Sequence, residues 1–349
     1  MAAIYTGGSA SVLYGYEGAT TFGTAASAIT NIFGMNQKVS SLTLNTGQMP
    51  LNKLGQVEVS KFAYGQQQGS VNIGFVWDSE KSDKIFKALF GAPSSSSNVD
   101  TYPSSSTKPF GASSGGVAVS PSSPLSITTQ IHQVISHVVG STTNTLLNRT
   151  LKGCIVQSLG LSTSIGETLN ATLDMAFARE DTASVIAASG FVEQTASGKD
   201  QATTPYTFAH GVLKTSTGGT AIAEIAEVQD VDINFATNAE LLWGLGSHHA
   251  KSVFRKIFDV TGRFKTSSKN GDMIQAVIDQ AIVAGTEEMN TADVSLELKF
   301  ENVSGKSLTI ELGGISITDH SVSGIEPAEP IFEEVNIKAK SARIVSDHA

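Results

Sequence analysis

Apolar and polar residues alternate in short runs along most of the chain, the two-residue period of half-buried β-strands. The first three runs are Val39-Ser40-Ser41-Leu42-Thr43-Leu44, Val57-Glu58-Val59-Ser60-Lys61-Phe62 and Ser70-Val71-Asn72-Ile73-Gly74-Phe75-Val76-Trp77. Asp78 follows as an N-cap. Residues 79–90 then set Ile85, Phe86, Leu89 and Phe90 at helical spacing before Gly91 and Pro93, which predicts one short amphipathic helix. Strands resume over 126–131, 154–164 and 169–177, the last two joined by a turn at Ile165-Gly166-Glu167. Residues 180–220 are polar and rich in Gly and Thr, with a short strand expected within 205–213.

The pattern then starts over. Val228-Gln229-Asp230-Val231-Asp232-Ile233-Asn234 answers the run from Val39 to Asn45, and Leu245-Gly246 answers Leu54-Gly55 at a nearly equal offset. The strand at 256–264 takes the place of 70–77, a helix at 271–283 that of 79–90, and the strand at 295–300 that of 126–131. The strands at 308–317 and 335–344 take the place of the hairpin at 154–177. This order of elements predicts a mainly β chain with short helices, in two related units of sandwich or barrel type. The units are 36–200 and 201–349, after an N-terminal arm at 1–35. A single large β-sandwich with unrelated halves is the competing architecture.

Two segments stand outside the alternation. The N-terminal arm is Gly-, Ser- and Ala-rich with scattered aromatics at Tyr5, Tyr14, Tyr16 and Phe22, an extended segment whose rings could pack on a neighbour. Residues 94–124 are Ser-rich with Pro and Gly, and are expected to be a disordered loop or to order only against a partner.

Composition narrows the function. Of 349 residues only 16% are charged, against roughly 25% in ordinary soluble domains. A surface poor in charge suits a chain covered by neighbouring subunits. The net charge is −9, which argues against a phosphate clamp and permits a conduit past which a polyanion slides. Cys154 is the single cysteine, so no internal disulfide is possible, and its setting in Gly153-Cys154-Ile155-Val156 reads as a buried inert thiol. No signal peptide or membrane span is expected, so assembly in a cytoplasm is; the sequons at Asn148, Asn170 and Asn302 read as coincidence.

Catalytic patterns fail one by one. Gly305-Lys306-Ser307 has Phe300 where a phosphate loop needs Gly, and reads as a turn. Gly111-Ala112-Ser113-Ser114-Gly115 lies in the Ser-rich stretch without the strand and helix of a nucleophile elbow. Gly244-Leu245-Gly246 lacks the third glycine of a dinucleotide fingerprint. His248 and His249 are adjacent, a poor metal spacing, and His132 and His137 have no acid placed beside them. Asp230 and Asp232 share one strand face and read as solvated carboxylates, with cation binding the lesser alternative. Trp77 and Trp243 sit in apolar contexts that suit core packing. No catalytic, cofactor or metal residue is assigned.

Three stretches carry a resemblance. They are Leu151-Lys152-Gly153-Cys154-Ile155-Val156-Gln157-Ser158-Leu159 running into Ser164-Ile165-Gly166-Glu167-Thr168-Leu169, the run Val228 to Asn234 with Asn238 to Ser247, and Leu308 to Ile315 with the strand after Glu334. Together they resemble the tail tube proteins of tailed phages and archaeal viruses over about 36–349. The resemblance implies a β-sandwich or barrel-like fold with a flanking helix, no catalysis and no cofactor. It also implies rings stacked into a hollow virion tube through which viral DNA passes, with tail tip, tail completion and tape-measure proteins as partners. Two units per chain would give three subunits in a pseudo-sixfold ring, and one unit six. Loops near 46–69 and 235–255 are expected to bridge successive rings. The Ser-rich insert departs from the family pattern. A surface-layer or appendage protein, or a sugar-binding β-sandwich, are the other classes considered. The first should carry an export signal and the second a polar constellation beside aromatics.

Overall fold

A computed structural model describes residues 10–18, 22–27, 29, 31–51, 61–63, 65–104, 126–136, 145–182, 186–187, 205–216, 223–224, 228–254, 256–267, 295–302, 304–323 and 331–347. These are mostly strand, with one short α-helix among them. The strands of the main sheet are labelled in chain order: β1 (Met35–Asn45), β2 (Gln68–Val76), β3 (Thr145–Ser164), β4 (Asn170–Phe177), β5 (Val228–Ala236), β6 (Asp259–Ser267), β7 (Ser307–Ser323) and β8 (Phe332–Asp347). All neighbours are antiparallel, in the spatial order β1-β2-β4-β3-β5-β6-β8-β7. These pairings never return on themselves, so the sheet is open, with β1 and β7 at its ends.

The order of pairing repeats. The run β1-β2-β4-β3 is followed by β5-β6-β8-β7. Between β1 and β2 lies a small hairpin, Met49–Leu51 paired with Lys61–Ala63; between β5 and β6 lies another, Glu240–Leu242 paired with Ser252–Phe254. The offset between the two runs is constant, carrying position 49 to 240, 61 to 252 and 68 to 259. Apolar alternation alone matched Val39 to Val228, which sets Leu42 against Val231. The strand bounds instead give Leu42 the role of Ile233, two positions further on.

The long strands β3 and β7 bend in the same way. Gly153 (φ 63°) and Gly314 (φ 62°) take the left-handed conformation that glycine adopts without steric cost. A bulge follows each, between Val156 and Ser158 in β3 and between Ile317 and Asp319 in β7. Each bulge therefore stands at the same distance beyond its glycine. At the bend β3 changes neighbours. Before it, β3 pairs with Ile127–Ser136 and with Arg179–Thr182; after it, with β4 and β5. The first half of β7 likewise pairs with Ser295–Glu301.

Alternation puts one face of the sheet into the core. Val71, Ile73, Phe75, Leu159, Leu161, Leu173, Ile233, Phe235, Phe264 and Ile337 are all buried in one cluster. Aromatic rings link the N-terminal strand to the second half of the chain. Tyr14 stacks on Phe33 at 4.4 Å, Phe75 on Trp77 at 6.0 Å, Trp77 meets Phe86 at 5.1 Å and Phe90 meets Phe235 edge-on at 6.0 Å. Burying each such side chain stabilises the fold by roughly 1.5–3 kcal/mol.

The helix expected at 79–90 is a 3-10 turn (Ser82–Ile85) leading into α1 (Phe86–Phe90), with Phe86, Leu89 and Phe90 buried as predicted. Asp78 Oδ1 accepts the N–H groups of Glu80 at 2.8 Å and Lys81 at 3.2 Å, capping the turn before the helix. Gly91 (φ 89°) ends it. The counterpart expected at 271–283 lies outside the described residues.

Three expectations change. Ala10–Tyr16, within the expected arm, pairs along its whole length with Ile127–Ser136, and Tyr14 and Phe33 are buried in this chain's own core. The start of the Ser-rich segment is a hairpin, Ser94–Ser96 with Val99–Tyr102, which pairs with the end of β8. Its turn, Ser97-Asn98, has both φ values positive (49° and 67°), the geometry that matches strand twist. Within 205–213 the strand begins only at Gly211, after a 3-10 turn at Phe208–His210.

Candidate channel face and assembly surfaces

The positions that alternate with the core form the opposite face of the sheet, and that face is polar. Across β1, β2, β4 and β3 it is nearly uncharged and cross-linked by side chains. Thr43 and Ser70 share a hydrogen bond of 2.7 Å between their hydroxyls. Asn72 Nδ2 donates to Asp174 Oδ1 at 2.6 Å, and Ser158 Oγ to Asp174 Oδ2 at 3.0 Å. Ser162 and Thr172 are exposed between them.

Charge is concentrated on β5, β6 and β8, where Arg263 and Lys338 are held by carboxylates. Arg263 donates to Asp230 at 2.8 Å and to Glu334 at 3.3 Å, while Ser164 Oγ donates to the other oxygen of Asp230 at 3.0 Å. Lys338 pairs with Asp259 at 2.8 Å, and Lys265 lies 4.8 Å from the centre of the Phe332 ring. Asp232 carries a further carboxylate. Partial burial holds its carboxyl above the usual range, with nearby Arg263 opposing the rise and Asp230 adding to it. The face therefore offers mainly acids and hydroxyls, with Arg263 and Lys338 tied to carboxylates, a poor grip for phosphate.

Exposed apolar residues collect elsewhere. Met49, Leu51 and Phe62 lie on the small hairpin after β1; Leu242, Leu245, Phe254 and Ile257 lie on or beside the one after β5. Leu245, at the turn between Gly244 and Gly246, is fully exposed. Exposed apolar clusters of this kind mark contact surfaces. The two hairpin loops touch: the Gln67 N–H donates to His248 O at 2.7 Å and Trp243 Nε1 donates to Gln67 O at 3.3 Å. Ala239, Leu241 and Ala250 pack with Ile155 and Ala178 in a small second core that anchors the later loop. Val76 pairs with Asn170 and Gly69 with Phe177, so these loops lie at the end of the sheet opposite the Ile165-Gly166-Glu167 turn. Exposed Ile165 and Ile331 lie at that other end.

The remaining candidates from sequence fall into place individually. Cys154 is fully buried, and burial pushes its thiol up to about 12. His248 and His249 sit in the loop before Ser252–Phe254, and the His249 imidazole is shifted down, chiefly by burial. Asp230 is bound to Arg263, and among the described residues no group of three or more His, Cys, Asp and Glu is placed to hold a metal ion. Trp77 is fully buried and donates to Asp83 at 2.8 Å; Trp243, expected in a core, is a half-buried loop residue. Gly305 (φ 81°) makes the predicted turn before β7. His137 and the run 111–115 lie outside the described residues. The polar face and the bent strands were not named from sequence as surfaces, although the alternation that located the core also defines them.

No curated protein matches the chain. The family model described as phage tail tube protein matches residues 7–339. An open antiparallel sheet with one polar face and apolar loops beyond its strands agrees with that match, and with nearly the whole length matched, the chain belongs to the phage tail tube protein family, structural components of the virion tail.

Proposed function

We propose that three copies of this chain form a pseudo-sixfold ring and that rings stack into a hollow tube, with the polar face of the main sheet lining a channel for viral DNA. The observation that carries this reading is the repeated order β1-β2-β4-β3 and β5-β6-β8-β7 in one open sheet. Each chain then supplies two related units, and three chains supply six. The ion pairs that occupy Arg263 and Lys338 on the polar face support passage without binding. The apolar hairpin loops at one end, with Ile165 and Ile331 at the other, support head-to-tail stacking, a heterologous contact that grows as an open filament. Tail tip, tail completion and tape-measure proteins would meet the ends and lumen of such a tube, assembled in the host cytoplasm, and no catalysis is required of the subunit.

Negative-stain electron microscopy of the purified protein over a range of concentrations tests the proposal. Stacked rings with a central channel and three-fold class averages are the expected result. Flat lattices, or a monomer that persists at high concentration with and without tail tip complexes, would overturn it.

A further inference from the structure

Each half of the chain has a small hairpin beside the main sheet, and only the later one is seated. Its middle pair is Leu241 opposite Val253. Both pack with Ala239 and Ala250 against Ile155 and Ala178 of the first half, with Ala176 beside them. The constant offset carries that pair onto Pro50 opposite Phe62, the middle pair of the earlier hairpin. Leu241 is 7% exposed, whereas Phe62 is 64% exposed and Pro50 is open to solvent. The same hairpin is built twice and covered once.

The floor under the later hairpin also recurs, with different chemistry. Ile155 opposite Ala176 lies between Gly153 and the bulge of β3. The pair at the same place between Gly314 and the bulge of β7 is Ser316 opposite Lys338. Two residues on, Lys340 stands where the first half has Ala178. A Cβ on Gly153 would meet Ala178 at 2.9 Å, and one on Gly314 would meet Lys340 at 3.1 Å. Lys338 is held by Asp259 at 2.8 Å, and Lys340 is exposed. An apolar floor suits a partner that is always present in the same chain. A floor that waits for another chain is better guarded by lysine, whose charge discourages wrong contacts while its stem can still pack. An aromatic ring also accepts an ammonium on its face.

We propose that the hairpin of Met49–Leu51 and Lys61–Ala63 seats on Ser316, Lys338 and Lys340 of a second copy of this chain, with Phe62 against the stem and ammonium of Lys340. Within one chain the hairpin follows β1 and the floor lies on β7 and β8, at opposite ends of the main sheet. The two therefore meet between copies. This rests on the ring proposed above and gives the earlier hairpin a sideways anchor within it. Met49 and Leu51, the counterparts of exposed Glu240 and Leu242, stay free for the next ring.

A photoreactive benzoyl-phenylalanine in place of Phe62 tests the seat. Assembled protein is irradiated and digested, and the linked peptides are identified by mass spectrometry. A covalent dimer joining position 62 to 314–316 or 338–340 is the expected result. The same residue in place of Val253 should link within one chain to 153–155 or 176–178, and it calibrates the yield. Links from position 62 to the Ile165 or Ile331 end, links within one chain, or none while position 253 reacts, would overturn the seat. Charge gives a second reading. Phe62→Lys sets two ammonium groups together and should stop assembly at an unchanged melting temperature, and adding Lys340→Glu should restore it. Normal assembly of Phe62→Lys alone, or no rescue by Lys340→Glu, would also overturn the seat. Wild-type tubes seen by microscopy beside any of these results would leave the tube reading standing and remove the seat alone. A wild-type chain that forms no rings at any concentration would remove both.

Discussion

The carboxylate of Glu17 accepts the backbone N–H of Gly153, far away in sequence, at 2.7 Å. Three more donors converge on it: Gly23 N–H at 2.8 Å, Ser126 Oγ at 2.7 Å and Thr128 Oγ1 at 2.9 Å. Glu17 is 3% exposed, so its charge is offset by these bonds and not by water. It ties the N-terminal strand to the bend at which β3 leaves one set of neighbours for another. Removing the acceptor strands two buried donors, Gly153 N–H and Thr128 Oγ1, and each costs about 1–3 kcal/mol. Glu17→Ala should lower the unfolding free energy by about 3 kcal/mol or more, read from urea denaturation. A loss under about 1 kcal/mol would mean that water replaces the carboxylate.

The two bend glycines should differ in their tolerance. An alanine at either must hold a left-handed backbone, at about 1–2 kcal/mol. At Gly153 the added Cβ would also lie 2.9 Å from Ala178 Cβ and 3.0 Å from Phe22 Cζ, both carbon atoms packed in place. At Gly314 it would lie 3.1 Å from the stem of Lys340, an exposed residue on the neighbouring strand. Gly153→Ala should therefore be the more destabilising of the pair, measured by thermal melting. Equal shifts would show that the backbone term alone decides.

Much of the sheet was legible because its strands alternate. The runs at 70–77, 169–177 and 295–300 were placed to within two residues of the observed strands. The first half of β3 was missed because Asn148, Arg149 and Lys152 interrupt the apolar pattern, and Arg149 is held instead by Glu180 in a two-point ion pair at 2.5 and 2.8 Å. The sequence pattern pairs Val39 with Val228, two positions short of the offset that the strand ends follow. An alternating pattern has period two, so any even shift fits it equally well. The Leu-Gly pairs at 54–55 and 245–246 carry, in sequence, the offset that the strand bounds obey. The hairpin at 94–102 was hidden by composition. Serine runs look structureless, and the turn signal was a single Asn98.

Cys154 should be silent in the native protein. Its thiol is fully buried, and burial pushes the pKa to about 12. A group with a raised folded pKa contributes stability that is intact below its unfolded value, near about 8.5. That stability is lost as pH rises through the folded value. Native protein at about pH 8 should therefore leave Ellman's reagent unreacted, react fully in denaturant, and lose stability between about pH 9 and 12. Cys154→Ala should flatten that alkaline slope. Rapid labelling of the folded protein would contradict the burial.

The polar face makes a prediction about DNA. Tubes of the wild-type chain should not retain duplex DNA at physiological salt. Ser162 and Thr172 are exposed on the nearly uncharged half of that face, with Asp232 opposite Ser162 across the β3–β5 pairing. Ser162→Lys with Thr172→Lys should produce tubes that bind DNA, with an affinity that falls linearly in log salt at about 0.9 per phosphate neutralised. Binding that is absent, or indifferent to salt, would place these residues away from the channel.

The hairpin loops should matter for growth of the tube and little for folding. Leu51, Phe62, Leu245 and Phe254 expose apolar side chains beyond the main core, so replacing them with serine removes no buried contact from the monomer. Surface changes of this kind usually shift stability by less than about 0.5 kcal/mol. If the loops seat on the Ile165 and Ile331 end of the next ring, each replacement removes apolar area from a contact repeated at every layer, and tube length should collapse while the melting temperature holds. Leu245→Ser with Phe254→Ser is the cleanest pair, because Leu241 and Ala250 keep the loop anchored on the second core. Deleting 47–67 is the stronger version and should leave folded rings that do not stack. Tubes of ordinary length from either variant, seen by microscopy beside an unchanged melting curve, would show that successive rings are held by other surfaces.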